Sequence, residues 1–220
     1  MERFLKISAV NFKYNLFPHL LVSVLLCLAA PLFMGTGNLD AYRVAKVMEA
    51  YVALTGIILL VPVFMPDMNQ DIRDLTASKR MPMYRLHIIR TLWSVWFLSL
   101  ISLGFLGFLK GGNCDFDFFQ MFYTVMANAL FLGGLGMFVF ALFDQAVFAY
   151  MIPLVYYVVN FGGRKHLGSF YLFSMQMGHF TEKHYLFAGG VVLTAAAILT
   201  RKIATGFSLS LCYNKEKAVL

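Results

Sequence analysis

Residues Pro66 to Arg90 read PDMNQDIRDLTASKRMPMYRLHIIR, the longest polar interruption in the first half of a very apolar chain. Eight of the 29 formally charged side chains lie here: Asp67, Asp71, Arg73, Asp74, Lys79, Arg80, Arg85 and Arg90. Asp67 is placed to cap a helix N-terminus, with Gln70 three residues on as a capping-box partner. Met68, Ile72 and Leu75 recur at i, i+4 and i+7 as one apolar stripe, while Asp71, Arg73 and Asp74 take the other face. Pro82 ends the pattern. The segment predicts a short amphipathic helix between two long hydrophobic runs, lying on a membrane surface or docking a soluble partner. Its three carboxylates oppose an anionic leaflet, which attracts basic segments, so docking is the favoured reading.

Outward from this segment, the chain excludes a soluble domain. Of its 220 residues 60% are hydrophobic and 13% charged, with a mean hydropathy of +0.72. Apolar runs at 17–34, 47–64, 91–109, 118–143, 146–161 and 185–200 predict six helical crossings of a hydrocarbon core about 30 Å thick. Ala29 and Ala30 end an apolar stretch as a signal peptide would, but that stretch is too long and further crossings follow. Before the first crossing, Leu5, Ala9, Phe12 and Leu16 form a stripe from which Lys6 and Lys13 are excluded, as in a helix lying in the interface. Only Asp144 and Gln145 separate the fourth and fifth runs. Residues 162–184 carry Phe170, Tyr171, Leu172, Phe173 and Met175, too apolar for a solvated loop. Backbone that re-enters a membrane must satisfy its own hydrogen bonds, so half-inserted helices are expected there.

The net charge of +7 comes from basic residues that flank apolar runs rather than forming one stripe, which argues against nucleic acid. With the N-terminus inside, twelve Lys and Arg fall on cytoplasmic segments and six on outer ones, so both termini are expected in the cytoplasm. Cys27, Cys114 and Cys212 fall in a span, a loop and the tail, with neither a disulfide pattern nor metal-ligand spacing. Phosphate-loop spacing is missing throughout, so ATP hydrolysis by that route is not expected of this chain. Paired acids, a Cys/His arrangement and a His-Glu-x-x-His motif are also missing from the spans, against an intramembrane enzyme.

Two residues are candidates for translocation or gating. Glu49 is the one carboxylate expected near or inside a span, and a buried membrane carboxylate is a functional hypothesis by default. Its competing reading is a structural pair with Arg43 or Lys46. Asn128 stands with Ala129 and Gly133 at small-x-x-x-small spacing, which also reads as helix packing. His166, His179 and His184 read as scattered polar loop residues.

Taken together, these features resemble the ABC-2 type permeases. The local text is similar too: Glu49-Ala50-Tyr51 opening span two, then the run Gly56 to Phe64, and Pro66-Asp67 leading to Asp71-Ile72-Arg73-Asp74-Leu75. Arg90 starts span three, and Phe173-Ser174 precedes Glu182 to Phe187. The resemblance implies an all-α integral membrane protein with six transmembrane helices, an N-terminal interfacial helix, a cytoplasmic coupling helix and outer re-entrant half-helices before span six. Residues 1–220 would form one ABC-2 type transmembrane domain in a bacterial cell membrane. Asp67, Met68, Asp71, Ile72, Arg73, Asp74 and Leu75 would be the coupling helix that docks on a separate ABC ATPase, which carries ATP and magnesium. A second permease copy or a paralogue would complete the membrane domain. The implied activity is export of an amphipathic substrate, foremost an antimicrobial or other membrane-active peptide. A drug or lipid exporter, or a non-transporting immunity or sensor protein, is the alternative.

Overall fold

The computed structural model describes residues 15–34, 39–68, 83–162, 167–178 and 180–217, with side chains as far as Ile203. The expected interfacial helix lies outside these residues except for Asn15 and Leu16, and the expected coupling helix except for Asp67 and Met68. The described chain is helical, with no strand among the described residues. Its helices are α1 (Phe17–Met34), α2 (Ala41–Ala50), α3 (Thr55–Leu60), α4 (Met83–Gly111), α5 (Phe118–Phe143), α6 (Ala146–Gly162) and α7 (Glu182–Lys217).

Among the described residues, four stretches are long and apolar enough to cross a membrane: Ala41–Met68, Met83–Gly111, Phe118–Phe143 and Glu182–Ile203. Phe17–Leu32 and Ala146–Gly162 are shorter apolar helices. Burial sorts the four. The windows in Ala41–Met68 and α5 are 78% and 83% buried, against 33% and 22% for α4 and α7, so the first two form the centre. Leu25, Leu28 and Leu32 of α1 and Met151, Val155 and Val158 of α6 point outward, an apolar exterior that water would not tolerate.

α5 is the axis, packed against α3, α4, α6 and α7. Asp117 caps its start by accepting the Gln120 N–H at 3.1 Å, and Asp144 ends it in the left-handed region with φ 53°. Its close neighbours are admitted by glycine. A Cβ on Gly56 would stand 2.0 Å from the Ala129 carbonyl oxygen, and one on Gly134 would stand 2.8 Å from that of Gly190. In lipid, where apolar burial gives helices little reason to associate, such close backbone approach is the main source of packing energy.

Several expected boundaries are corrected. α4 begins eight residues earlier than the apolar run at 91, because Tyr84, Arg85 and His87 are compatible with helix though not with hydropathy. α7 runs on past Thr200 to Lys217 for the same reason. Span two is not a uniform helix. Ala41–Met68 alternates α2, a 3₁₀ turn at Val52–Leu54, α3 and a 3₁₀ run at Val61–Met68. At the first break the Ala50 carbonyl accepts from the Tyr157 hydroxyl at 2.7 Å, and Val52 accepts from the Thr55 hydroxyl, so the interruption leaves no polar debt.

Of the stretch 162–184, where half-helices are expected, residues 163–166 and 179 lie outside the described residues. The described part holds 3₁₀ turns at Gly168–Phe170 and Met175–Met177, and side chains satisfy the backbone of Leu172 between them. Cys114, expected in an exposed loop, is buried against the α2 end of the core and is 3% exposed.

Candidate functional site

The rod Ala41–Met68 carries one buried carboxylate near each end, Glu49 and Asp67, and each organises a cluster. Around Glu49, four helices converge on the loop Gly168–Met177. Lys183, in the first turn of α7, meets Glu49 Oε1 at 2.7 Å with both side chains fully buried. Its ammonium also donates to Asn128 Oδ1 at 3.1 Å and to the Leu172 carbonyl, which uses all three of its protons. Asn128 Nδ2 donates to that same carbonyl at 3.0 Å. Asn160 Oδ1 accepts the Leu172 N–H at 2.9 Å, and Glu49 Oε1 accepts the Met175 N–H at 3.1 Å. The Tyr156 hydroxyl donates to the Phe170 carbonyl at 2.6 Å.

The loop is therefore a plug. Tyr171, Leu172, Phe173 and Ser174 are all buried, and the cluster's bonds to Phe170, Leu172 and Met175 all go to main chain. An isolated charge in this setting costs several kcal/mol, so Glu49 and Lys183 are tolerable only as a pair, with Glu49 Oε1 and all three ammonium protons engaged.

The second cluster surrounds Asp67. Its Oδ2 meets His87 Nε2 at 2.6 Å and its Oδ1 meets Arg90 Nη1 at 3.0 Å, all three side chains being buried. Pro66 explains the neighbours. Having no N–H, it orphans the Val63 carbonyl in 3₁₀ pairing and the Pro62 carbonyl in α pairing. Arg90 Nη1 donates to Val63 at 3.2 Å, and Asn15 Nδ2 donates to Pro62 at 3.1 Å. Phe64 lies edge-on to His87 at 4.9 Å. Beside it, the Arg201 guanidinium sits 5.4 Å from the Phe64 ring centre and 5.3 Å from that of Phe140, and it pairs with Asp144.

No protein-family model, curated protein or solved structure matches this chain. What the site does must be argued from its residues.

Of the residues singled out in the sequence, Glu49 and Asn128 come together through Lys183, while Asp67 stands at the opposite end of the rod with Met68 half exposed beside it. Asp71, Ile72, Arg73, Asp74 and Leu75 lie outside the described residues. The expected pairing of Glu49 with Arg43 or Lys46 is corrected, since Glu49 pairs with Lys183 while both of those side chains are exposed. Asp67 is held by Arg90, which the sequence reading placed at the start of span three, and by His87, which it passed over.

Lys183 and Arg201 were missed as well, yet a signal existed. Over the part of α7 up to Ile203 the buried positions are Lys183, Leu186, Gly190, Ala197 and Arg201, an inward stripe at near-heptad spacing that includes two cations. Counting cations as membrane flanks hides which face they occupy. Among the described residues no group of three His, Cys, Asp or Glu side chains is placed to hold a metal ion.

Proposed function

We propose that this chain is the membrane-spanning permease subunit of an ATP-driven exporter of ABC-2 type, crossing a bacterial cell membrane six times with both termini cytoplasmic. Its cargo is an amphipathic substrate, a membrane-active peptide ahead of a drug or a lipid. The single observation that carries the reading is the Asp67–His87–Arg90 cluster. It joins the two chain ends that flank residues 69–82 into one buried node, so a force applied to that segment reaches both the rod and α4. A coupling element must be tied to the bundle in this way. ATP-driven closure of two partner subunits would move two such segments, one from each permease, and switch the access of a pathway between them.

Two experiments test the proposal. The permease purified in mild detergent carries its ATPase with it, and Ile72→Asp with Leu75→Asp abolishes that co-purification while the inserted chain keeps its wild-type melting temperature. Lack of any ATPase on the well-inserted wild type rejects the reading in favour of a membrane protein that does not transport. For orientation, burial makes Cys114 a poor reporter, whereas Asp115 beside it is exposed. With the native cysteines replaced, Asp115→Cys is expected to react with a membrane-impermeant maleimide in intact cells. Labelling only after lysis reverses the orientation.

A further inference from the structure

The Glu49 cluster handles the plug in an unusual way. It reads main chain. At Leu172 the N–H goes to Asn160, and the carbonyl goes to both Asn128 and Lys183; three residues on, the Met175 N–H goes to Glu49. The loop's own main-chain bonds lie at its ends, Tyr171 to Gly168 and Met177 to Ser174, and do not serve Leu172. Holding a loop in place does not require a buried ion pair, which apolar side chains of similar volume replace at little or no cost. A site that must accept peptide groups from different occupants does need fixed donors and acceptors, since an apolar wall would leave them unsatisfied.

A second observation points the same way. The plug is bracketed by Gly168 at φ +49° and Gly178 at φ +75°, and neither has an atom within 4 Å of where a Cβ would stand. Glycine in the left-handed region with open space around it is what a segment that swings at both ends requires.

We propose that the pocket formed by Glu49, Asn128, Asn160 and Lys183 is a receptor for the main chain of an apolar peptide, and that residues 170–175 fill it as an internal stand-in. A peptide segment rich in Leu and aromatic residues displaces the plug and takes over its bonds. Because the contacts are to main chain, the pocket accepts many sequences and selects for peptide over a drug or a lipid. The identity of the ligand rests on the peptide-export reading; the binding itself needs no ATPase.

The test uses the full chain in nanodiscs without ATPase. The probe is a fluorescent, end-blocked peptide GSFYLFSMQ, copied from residues 168–176. A second probe carries an N-methyl group on the leucine nitrogen, which removes the hydrogen that Asn160 accepts. Leu172→Gly with Phe173→Gly loosens the plug, and this variant is expected to bind the plain probe at least tenfold more tightly than the wild type does. N-methylation of the probe, or Asn160→Ala in the loosened variant, should each weaken binding at least tenfold. Equal binding of the two probes overturns the proposal, as does no binding by a loosened variant that keeps a wild-type melting temperature.

Should the loosened variant not fold, a chain with protease sites placed beside Gly168 and Gly178 is nicked after folding. Release of the excised plug by excess plain probe, and not by the N-methylated one, supports the receptor, whereas retention rejects it. Co-purification of an ATPase decides the export reading separately. Peptide binding with no ATPase sinks that reading alone, and an ATPase with no peptide binding sinks this one alone.

Discussion

A chain carrying Lys183→Met is expected to lose about 3–5 kcal/mol of stability, enough to leave little folded protein in detergent. The substitution strands Glu49 as a fully buried charge. It also takes one of two donors from the Leu172 carbonyl and the ammonium that donates to Asn128 Oδ1 at 3.1 Å. Adding Glu49→Met should recover part of the loss, because two apolar side chains replace a pair of charges. Recovery stops short of the wild type, since the Met175 N–H then loses its acceptor, a cost of about 1–3 kcal/mol. A double-mutant cycle read by thermal and denaturant unfolding measures the coupling. If Lys183→Met melts with the wild type, the two side chains are not paired inside the protein.

The second large effect is expected at Gly56. An alanine there places its Cβ 2.0 Å from the carbonyl oxygen of Ala129, a main-chain atom of the most enclosed helix. A flexible side chain could turn away from such a contact; a helix backbone cannot, so α3 and α5 must separate along their length. Overpacking of this kind costs on the order of 1–3 kcal/mol, and more where the neighbour is rigid. Gly104 is the internal control, because it faces open space on α4. Gly104→Ala should be neutral or stabilising by up to about 1 kcal/mol through helix propensity. Comparable melting temperatures for the two variants would mean that α3 and α5 do not meet at Gly56.

Much of the fold is legible because hydropathy marks a span directly. The run at 118–143 coincides with α5, and 146–161 with α6 to within a residue. Hydropathy stops being informative where polar residues continue a helix, hence the late start assigned to α4. It also says nothing of depth: Cys114 sits in a short connection that folds inward between apolar ends. The candidate site was half legible. Glu49 stood out as a carboxylate inside an apolar run, but its partner begins the last helix, and a pairing across most of the chain leaves no trace in local spacing. The plug illustrates the same limit. Its apolar residues announced that the segment is buried, and its backbone at Leu172 is hydrogen-bonded as buried backbone must be. Whether helix or side chains would satisfy it depended on Asn128, Asn160 and Lys183, which only the fold brings together.

The 3₁₀ run at Val61–Met68 has a mechanical consequence. A 3₁₀ residue advances about 2.0 Å along the axis and an α residue about 1.5 Å, so eight residues in the tighter winding hold about 4 Å of extra length. Both ends of the rod are tied, Glu49 to α7 and Asp67 to α4. Rewinding the run would thus act as a short piston stroke, drawing α4 lengthwise against α7 without breaking either ionic tie. Pro62 and Pro66 would oppose that travel, because within an α-helix each ring collides with the carbonyl four residues before it.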